Sequence, residues 1–430
     1  MEALLVLGLL LLLLGVGLPV AWSFAGVVGV LVWIYDVNLN TLMLQGFRSM
    51  NSVILLALPL FILAGYLMQS GGIASRLVAF LEMAIGRRRG GMGNALVGAS
   101  GVFGAIAGTA TAAVAAIGTL MIDPMAERGY PRGYSAALLG ISSLLGILIP
   151  PSITMILFAV ATQQSVAACF AASIVPGIML MFGLMFYNWS QIGQNIHEIR
   201  DVRSPSVGEK GRITLRTLPA LSLPVIIIGG IYGGVFTPTE AAAFAVIAAV
   251  IIGTLVYRDM NLQRLSESTV AAAETTGSIV LILLFSFVIG RILVAEQIPQ
   301  DLTDVVASLV SNPVGVLLLV NVFLIIAGAI VDDVSVTVVI APLLLPLMQS
   351  VDVHPVHFAA IVATSVVIGA NSPPMAPVLF MACRIGRVSV HHAVGPALKM
   401  MAYVALPVMV LTTFIPALSL ALPRWLGLLW

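Results

Sequence analysis

Charged side chains are scarce in this sequence. Lys, Arg, Asp and Glu make up 9% of its 430 residues, and 60% are hydrophobic, whereas about 25% of a soluble globular chain is charged. Several apolar runs exceed the roughly 20 residues that a helix needs to cross a membrane. These runs are apolar on every face, which excludes the alternating pattern of a membrane-spanning β-barrel. The composition therefore predicts an all-α polytopic membrane protein embedded in a lipid bilayer.

The sequence also lacks an excess of either charge and has little cysteine. Its formal net charge is +1, so nothing indicates a nucleic-acid partner. Cys169 and Cys383 lie in apolar runs, where small buried side chains are expected rather than a disulfide or metal ligands. The apolar start carries Glu2 where a secretion signal requires Lys or Arg. A retained membrane helix is therefore predicted at this end.

The positive residues predict the orientation, because cytoplasmic loops carry an excess of Lys and Arg. Basic clusters lie at Arg87–Arg89, at Arg128 and Arg132, and in later loops at Arg200, Arg203, Lys210, Arg212, Arg216, Arg258, Arg264, Arg384 and Arg387. Single or broken spans are predicted at Leu4–Pro19, Ala21–Ile34, Val53–Gln69, Tyr134–Val160, Ala168–Trp189, Leu218–Val235, Glu240–Tyr257, Val270–Val294, Val356–Cys383 and His392–Leu420.

Two further apolar stretches decide whether these clusters share one side. If Asn94–Ile122 and Val314–Leu347 each enter and leave the membrane from the same side, the major clusters all become cytoplasmic. Both stretches are therefore predicted to be re-entrant helical hairpins, and both termini are predicted to be periplasmic. Arg48 and Arg424 are minor exceptions.

An internal repeat supports this arrangement. Residues recur at one offset of 223 positions, which joins the following pairs: Met125 and Met348, Ala136 and Ala359, Ser142 and Ser365, Gly146 and Gly369, and Pro150-Pro151 and Pro373-Pro374. Upstream, Gly65 matches Gly290 and Ile73 matches Ile298 with a shift of two further positions. Because the first hairpin opens inside and the second outside, the two halves are predicted to be inverted, as in many secondary transporters.

Each repeat carries a Pro-Pro step inside an apolar run. Proline removes a backbone donor and clashes with the preceding turn, so each step predicts an unwound segment and a broken helix. Freed carbonyls there suit a cation such as Na⁺, and helix N-termini suit an anion. The alternative interpretation is a kink between two packed helices.

Three stretches resemble the large, DctM-type membrane subunit of tripartite ATP-independent periplasmic (TRAP) transporters. They are Gly101-Val-Phe-Gly-Ala-Ile-Ala-Gly108, continuing to Leu-Gly-Ile-Leu-Ile-Pro-Pro-Ser152; Gly230-Ile-Tyr-Gly-Gly-Val-Phe-Thr-Pro-Thr-Glu-Ala-Ala-Ala243; and Phe414-Ile-Pro-Ala-Leu-Ser-Leu-Ala-Leu-Pro423. The resemblance implies a non-enzymatic subunit of the bacterial inner membrane with an elevator-type fold. It also implies a small four-helix membrane subunit and a periplasmic substrate-binding protein as partners.

The resemblance further implies Na⁺ as the coupling ion, no other cofactor, and an organic acid such as a C4-dicarboxylate or sialic acid as substrate. The implied domains are 1–90 for the first scaffold helices with an amphipathic arm, and 91–190 for the first part of a transport domain. A cytoplasmic loop at 191–217, second scaffold helices at 218–312 and the rest of the transport domain at 313–420 follow.

Candidate site residues follow from the two hairpin tips and the two breaks. The first Na⁺ site is expected at Gly108, Thr109, Thr111, Gly146 and Pro150; the second at Asp332, Ser335, Gly369, Asn371 and Ser372; and substrate contacts at Ser152, Pro373 and Pro374. Small residues for close helix packing are the alternative for Thr109 and Thr111. Asp332 is a candidate because ionisable groups at membrane depth are costly, whereas Asp333 is an open case that water alone would explain.

The second half departs from the family pattern. The usual Leu-Asp-Pro is Val331-Asp332-Asp333, and the usual Thr-Pro-Pro-Val-Gly-Leu-Asn is Ser372-Pro-Pro-Met-Ala-Pro-Val378. Two other functions stay open. A stand-alone Na⁺/anion symporter of the same broad fold would need no binding protein, and an intramembrane aspartyl protease would need a Gly-x-Gly-Asp sequence that the chain lacks.

Overall fold

A computed structural model of the chain describes residues 8–10, 12–13, 16–194, 196–199, 206–310, 312–372 and 376–429. These residues form helices joined by short turns. Within the described ranges, eight helices are long and apolar enough to cross a membrane: Val53–Ser70, Val166–Gln191, Val207–Tyr232, Pro238–Val256, Leu262–Ala295, Pro313–Ile330, Asp333–Ser350 and Val390–Phe414. The prediction of an all-α polytopic membrane protein is confirmed.

Shorter helices complete each half. Val20–Tyr35, Leu39–Met50, Ile73–Ile85 and Ile298–Leu309 precede the hairpins, and Ala417–Trp425 ends the described helices. The first hairpin is formed by Gly91–Ala107 and Ala110–Glu127, and the second by Pro313–Ile330 and Asp333–Ser350. The first broken helix consists of Arg132–Leu148 and Ile153–Ala161, which are bent by 44° relative to each other. The second consists of Pro355–Gly369 and Pro377–Ile385.

The two halves contact each other reciprocally. Pro377–Ile385 of the second half packs on Arg132–Ser143 of the first, and Ile153–Ala161 of the first packs on Pro355–Gly369 of the second. In each of these contacts, one part of the broken helix in one half packs on the other part of the broken helix in the other half. Two-fold symmetry requires such reciprocal contacts. The repeat found in the sequence is therefore also a repeat of helices and of contacts.

Close glycine contacts recur in both halves. A Cβ atom added to Gly104 would lie 2.7 Å from Cα of Gly146, and one added to Gly369 would lie 2.7 Å from Cα of Gly328. No side chain fits at such distances, so the first limb of each hairpin touches the backbone of its broken helix directly. Small residues allow this close approach between membrane helices. The packing fixes each hairpin tip beside the break in the neighbouring helix.

Several helix boundaries differ from the predicted spans. Leu262–Ala295 and Val207–Tyr232 begin eight and eleven residues before the spans expected at Val270 and Leu218. The first turns of both helices consist largely of polar residues, which lie outside the apolar core of the membrane. A helix can begin in such a polar segment when its N-terminus is capped. Ser206 provides such a cap by accepting a hydrogen bond from the Glu209 N–H. Residues 207–217 are thus helical, although a loop was expected there.

The last span is also shorter than expected. The helix that begins at Val390 ends at Phe414, and Pro416 precedes the separate helix Ala417–Trp425, so the predicted span to Leu420 crosses a turn. The amphipathic helix Leu39–Met50 lies within residues 1–90, where an amphipathic arm was predicted without bounds. Part of the predicted span Leu4–Pro19 lies outside the described residues. Thr237 and Glu240 form the expected helix start, with the Thr237 N–H donating to Glu240 over 2.8 Å.

Candidate ion and substrate site

The tip of the first hairpin lies against the first broken helix. Gly108 has a φ of +67°, and a Cβ atom there would lie 2.9 Å from the Pro151 carbonyl oxygen. Its own carbonyl accepts a 3.2 Å hydrogen bond from the Ile153 N–H. A residue with a side chain would meet both a strained backbone and a steric clash. Gly108 therefore brings the tip onto the unwound Pro150–Ser152 segment.

Backbone oxygens collect at this point. The Thr109 carbonyl oxygen lies 3.1 Å from the position that a Cβ of Gly146 would occupy, and Pro150 is buried. The Thr109 side chain accepts a 3.3 Å hydrogen bond from the Ala112 N–H and so caps the second limb of the hairpin. Carbonyl and hydroxyl oxygens are the ligands of small hard cations. Gly108, Thr109 and Gly146 are thus brought together beside the break, in which Pro150 is buried.

Two other predicted residues of this group take different positions. Thr111 is exposed in the first turn of the second limb, and no side-chain hydrogen bond joins it to the described residues of the break. Ser152 is fully buried, where its hydroxyl accepts a 3.4 Å hydrogen bond from the Met155 N–H. Ser152 therefore caps the half-helix Ile153–Ala161, whose N-terminus faces the break.

The second tip repeats this geometry with an acidic residue. Asp332 stands at the position equivalent to Thr109 and caps the helix that follows, accepting hydrogen bonds from the N–H and the hydroxyl of Ser335. Ser335 is 1% exposed. A carboxylate and a buried hydroxyl thus replace the threonine of the first tip. The second tip carries more negative charge than the first, and oxygen atoms again predominate.

Asp333 does not simply face water. Its Oδ2 accepts a 2.8 Å hydrogen bond from the Thr154 hydroxyl, which lies two residues after Ser152 in the other half of the chain. The second hairpin tip is therefore joined to the half-helix that begins at the first Pro-Pro step. The sequence analysis did not predict this contact, although the Thr154 hydroxyl in the first turn after the break could have indicated it.

The remaining predicted residues of the second group point elsewhere. Gly369 packs on Gly328, while the Asn371 side-chain N–H₂ donates to the Gly140 carbonyl over 3.4 Å. The Ser372 hydroxyl donates to the Ile368 carbonyl over 2.7 Å. Of the five residues predicted as one group, only Asp332 and Ser335 are joined at the tip. Asn371 contacts the other half, whereas Gly369 and Ser372 contact residues of their own repeat. Pro373 and Pro374 lie outside the described residues.

One amide oxygen of this region has no partner. Asn371 is fully buried, and within the described ranges its Oδ1 accepts no hydrogen bond. A buried acceptor without a donor is costly. Since Asn371 contacts the first broken helix at Gly140, this free oxygen lies where the two halves meet.

A polar network holds the base of the first hairpin. Glu198 accepts hydrogen bonds from the Gly90 N–H over 2.8 Å and from the Tyr130 hydroxyl over 2.9 Å. Burial, and then the nearby carboxylate, raise the pKa of Tyr130 well above its usual range. The phenol therefore keeps its proton and donates to Glu198 at every physiological pH. The network ties both ends of the hairpin to the chain that follows Val166–Gln191.

Comparison with known protein families decides the assignment. Residues 7–418 match the profile of the tripartite ATP-independent periplasmic transporter, DctM component. The chain belongs to this family. The resemblance found in the three motifs is thereby confirmed, and the DctM component is the large membrane part of a tripartite transport system.

Curated relatives extend over nearly the whole DctM chain. It is 34% identical to a C4-dicarboxylate TRAP transporter large permease protein from Pseudomonas aeruginosa, over 94% of each chain. It is 31% identical to a sialic acid TRAP transporter large permease protein from Vibrio cholerae, over 96% of each chain. An isethionate TRAP transporter permease from Oleidesulfovibrio alaskensis is 32% identical over 96% of this chain and 65% of its own length. These relatives are transport permeases rather than enzymes.

Solved structures agree on the fold of this DctM chain. The Alcanivorax borkumensis YdaH transporter superimposes with a TM-score of 0.65 and 14% identity, covering 91% of this chain and 89% of that one. The Neisseria gonorrhoeae MtrF structure gives a TM-score of 0.56. At such low identity the likeness concerns the fold alone.

Proposed function

We propose that this chain is the large permease subunit of a Na⁺-coupled uptake system for a small organic acid, working in the bacterial inner membrane by an elevator movement. A periplasmic binding protein delivers the acid, and a small four-helix membrane subunit completes the permease. The observation that carries the proposal is the pairing of two hairpin tips with two helix breaks, related by two-fold symmetry. The named relatives that carry carboxylates and isethionate support an acidic substrate.

Each tip and break would have a separate task. In the first repeat, the carbonyls of Gly108 and Thr109 and the unwound segment after Ile149 would bind one Na⁺. In the second repeat, Asp332 and Ser335 supply further hard oxygens for a second ion. The half-helix that starts after Ser152 would present the positive end of its dipole to a substrate carboxylate. Bound Na⁺ would lower the cost of bringing that anion into the low-dielectric interior.

The two hairpins and broken helices would move as one body. Direct glycine contacts lock each hairpin to its broken helix, and the Thr154–Asp333 bond joins the second tip to the first break. A ligand that binds at the tips therefore binds to a rigid unit. Movement of this unit against Val53–Ser70, Pro238–Val256 and Leu262–Ala295 would present the site to either side of the membrane.

Reconstituted vesicles test the proposal. The full chain is inserted together with its small subunit, and uptake of labelled succinate, isethionate and sialic acid is measured with and without the binding protein. We expect uptake of one acid that requires both the binding protein and external Na⁺. Uptake that is equally fast in Na⁺-free buffer would contradict the coupling. Uptake without any binding protein would instead support the stand-alone symporter.

A further inference from the structure

Two cavities lie behind the hairpins at equivalent places in the two halves. The first-repeat cavity, of about 590 Å³, is lined on its hairpin side by Ala116, Thr119 and Leu120. The second-repeat cavity, of about 280 Å³, is lined there by Val339, Pro342 and Leu343. These are the same positions at the offset of the repeat. Each cavity thus separates the second limb of a hairpin from a long outer helix.

The outer-helix side of the two cavities is equivalent as well, but its chemistry differs. With the two-position shift found upstream, Tyr66 and Gln69 of the first cavity correspond to Arg291 and Val294 of the second. The position that holds the neutral phenol of Tyr66 in the first half therefore holds the cation of Arg291 in the second. The symmetry makes the first cavity an internal reference for the second.

Polar groups of the first-repeat cavity satisfy one another. The Tyr66 and Thr275 hydroxyls lie 2.9 Å apart, and the Ser268 hydroxyl donates to Ser70 over 2.8 Å. Asp259, which also lines this cavity, forms an ion pair with Arg76. Arg264, which also lines this cavity, lies there with the two carboxylates of Asp259 and Glu267, so the cavity offers no excess of positive charge to an anion.

Two polar groups of the second-repeat cavity, on Ser286 and Arg291, have no partner among the described residues. Ser286 is 1% exposed, and its hydroxyl has no hydrogen-bond partner in the described part of the chain. Arg291 lines the same cavity from the membrane helix Leu262–Ala295, and no ion pair or hydrogen bond to the described residues occupies its guanidinium. No Asp or Glu is among the described residues that line the cavity.

An arginine near a helix end can extend its charged head toward water, which would account for Arg291 alone. The buried Ser286 hydroxyl, one to two turns earlier on the same helix, needs an acceptor that the protein does not supply. A guanidinium forms two parallel hydrogen bonds with a planar carboxylate. The guanidinium donates only and the hydroxyl is able to donate, so an anion inside the cavity that both residues line is a suitable partner for each.

We propose that the second-repeat cavity binds the acid group of the transported organic acid, a carboxylate or a sulfonate, through Arg291 and Ser286. The assignment rests on the proposed function for the identity of the ligand. The cavity lies on the half of the chain predicted to open outward, beyond the second hairpin tip, so it receives the acid before the tip does. Its volume is close to the roughly 300 Å³ of the smallest ligand pockets.

Charge-selective labelling of a single cysteine tests the electrostatic part. Val294 lines the cavity and is 62% exposed. It is replaced by cysteine in a full chain whose Cys169 and Cys383 are changed to alanine, reconstituted with its small subunit. The reagents are an anionic sulfonatoethyl and a cationic trimethylammonioethyl methanethiosulfonate. We expect Arg291→Gln to lower the anionic-to-cationic rate ratio about fivefold and Arg291→Lys to preserve most of it. A ratio unchanged by Arg291→Gln overturns the proposal.

Protection from labelling tests the ligand. Succinate, isethionate and sialic acid are the acidic probes, and succinamide is the neutral one. At twice its dissociation constant, a bound acid slows labelling about threefold. We expect this protection from at least one acid, its loss in Arg291→Gln and its weakening in Ser286→Ala. Protection by none of the acids, or protection that Arg291→Gln leaves intact, overturns the proposal.

The equivalent cavity provides the matched control. Gln69→Cys places the thiol at the corresponding position of the first-repeat cavity, where we expect neither anion preference nor protection. The labelling experiments test the proposed site, and the uptake experiments test the proposed function, so either proposal can be contradicted without the other. Acid protection without binding-protein-dependent uptake contradicts the proposed function and leaves the site standing, whereas normal uptake with an Arg291-independent labelling ratio contradicts the site alone.

Discussion

Thr154 and Asp333 join the two halves of this protein at its centre: the Thr154 hydroxyl donates a 2.8 Å hydrogen bond to Oδ2 of Asp333. One residue follows the first Pro-Pro step and the other stands at the second hairpin tip. The bond therefore ties the half-helix after the first break to the second hairpin tip. It gives a physical route by which a displacement of one affects the geometry of the other.

This bond should be measurable as a coupling energy. Thr154→Val and Asp333→Asn are each expected to destabilise the protein, and the double variant should lose less than the sum of the two. Hydrogen bonds between membrane helices give couplings of about 0.6 kcal/mol and at most about 1.7 kcal/mol. Unfolding in mixed detergent micelles measures the three free energies. Strict additivity would show that the two side chains do not interact.

Glycine contacts predict a second set of effects. Gly104→Ala and Gly369→Ala each place a methyl group within 2.7 Å of a glycine Cα, and overpacking of this kind costs about 1–3 kcal/mol. We expect a lower Tm in detergent and slower uptake for both. Gly277→Ala is the control, because nothing lies within 4 Å of its Cβ position. Equal Tm values for all three variants would refute the direct backbone contact.

Gly108 offers a test of the first tip itself. Gly108→Ala combines a positive φ with a clash at the Pro151 carbonyl, whereas Gly234→Ala has a φ of +70° and nothing within 4 Å. Both changes cost about 1–2 kcal/mol of backbone strain, but only the first displaces the tip from the break. We expect a marked fall in uptake for Gly108→Ala and near-normal uptake for Gly234→Ala. Equal losses would mean that strain, rather than tip position, matters.

Much of this architecture could be predicted from the sequence, because lipid requires long apolar helices and the repeat constrains their order. The Pro-Pro steps and the hairpin turns at Gly108 and Asp332 are local signals of this kind. Helix starts at Val207 and Leu262 were placed too late because apolar length alone defined the spans. The Ser206–Glu209 capping box was readable and marks the true start of the first of these helices.

Site residues were harder to predict, because their roles depend on contacts between distant parts of the chain. Gly108, Thr109 and Gly146 meet as expected, since one repeat holds all three. Asn371 instead contacts Gly140 in the other repeat, and Thr154 reaches Asp333. No spacing within one repeat could indicate these pairings. The unsatisfied Ser286 likewise becomes visible only when its surroundings are known.

Re-entrance of the hairpins remains a prediction, and labelling of vesicles can test it. Arg88→Cys and Glu127→Cys lie at exposed positions at the two ends of the first hairpin. An impermeant maleimide should label both from the cytoplasmic side only. Asp301→Cys and Gln349→Cys, which flank the second hairpin, should both be labelled from the periplasmic side. Labelling of Arg88→Cys and Glu127→Cys from opposite sides would mean that this hairpin crosses the membrane.

The most direct test of the central claim uses the Na⁺ gradient alone. Vesicles that contain the complete permease are loaded with the transported acid at the same concentration inside and outside, with the binding protein present outside. An inward Na⁺ gradient should then drive net accumulation of the acid, and collapsing that gradient with a Na⁺ ionophore should abolish it. Accumulation that persists after the Na⁺ gradient is collapsed would contradict the account.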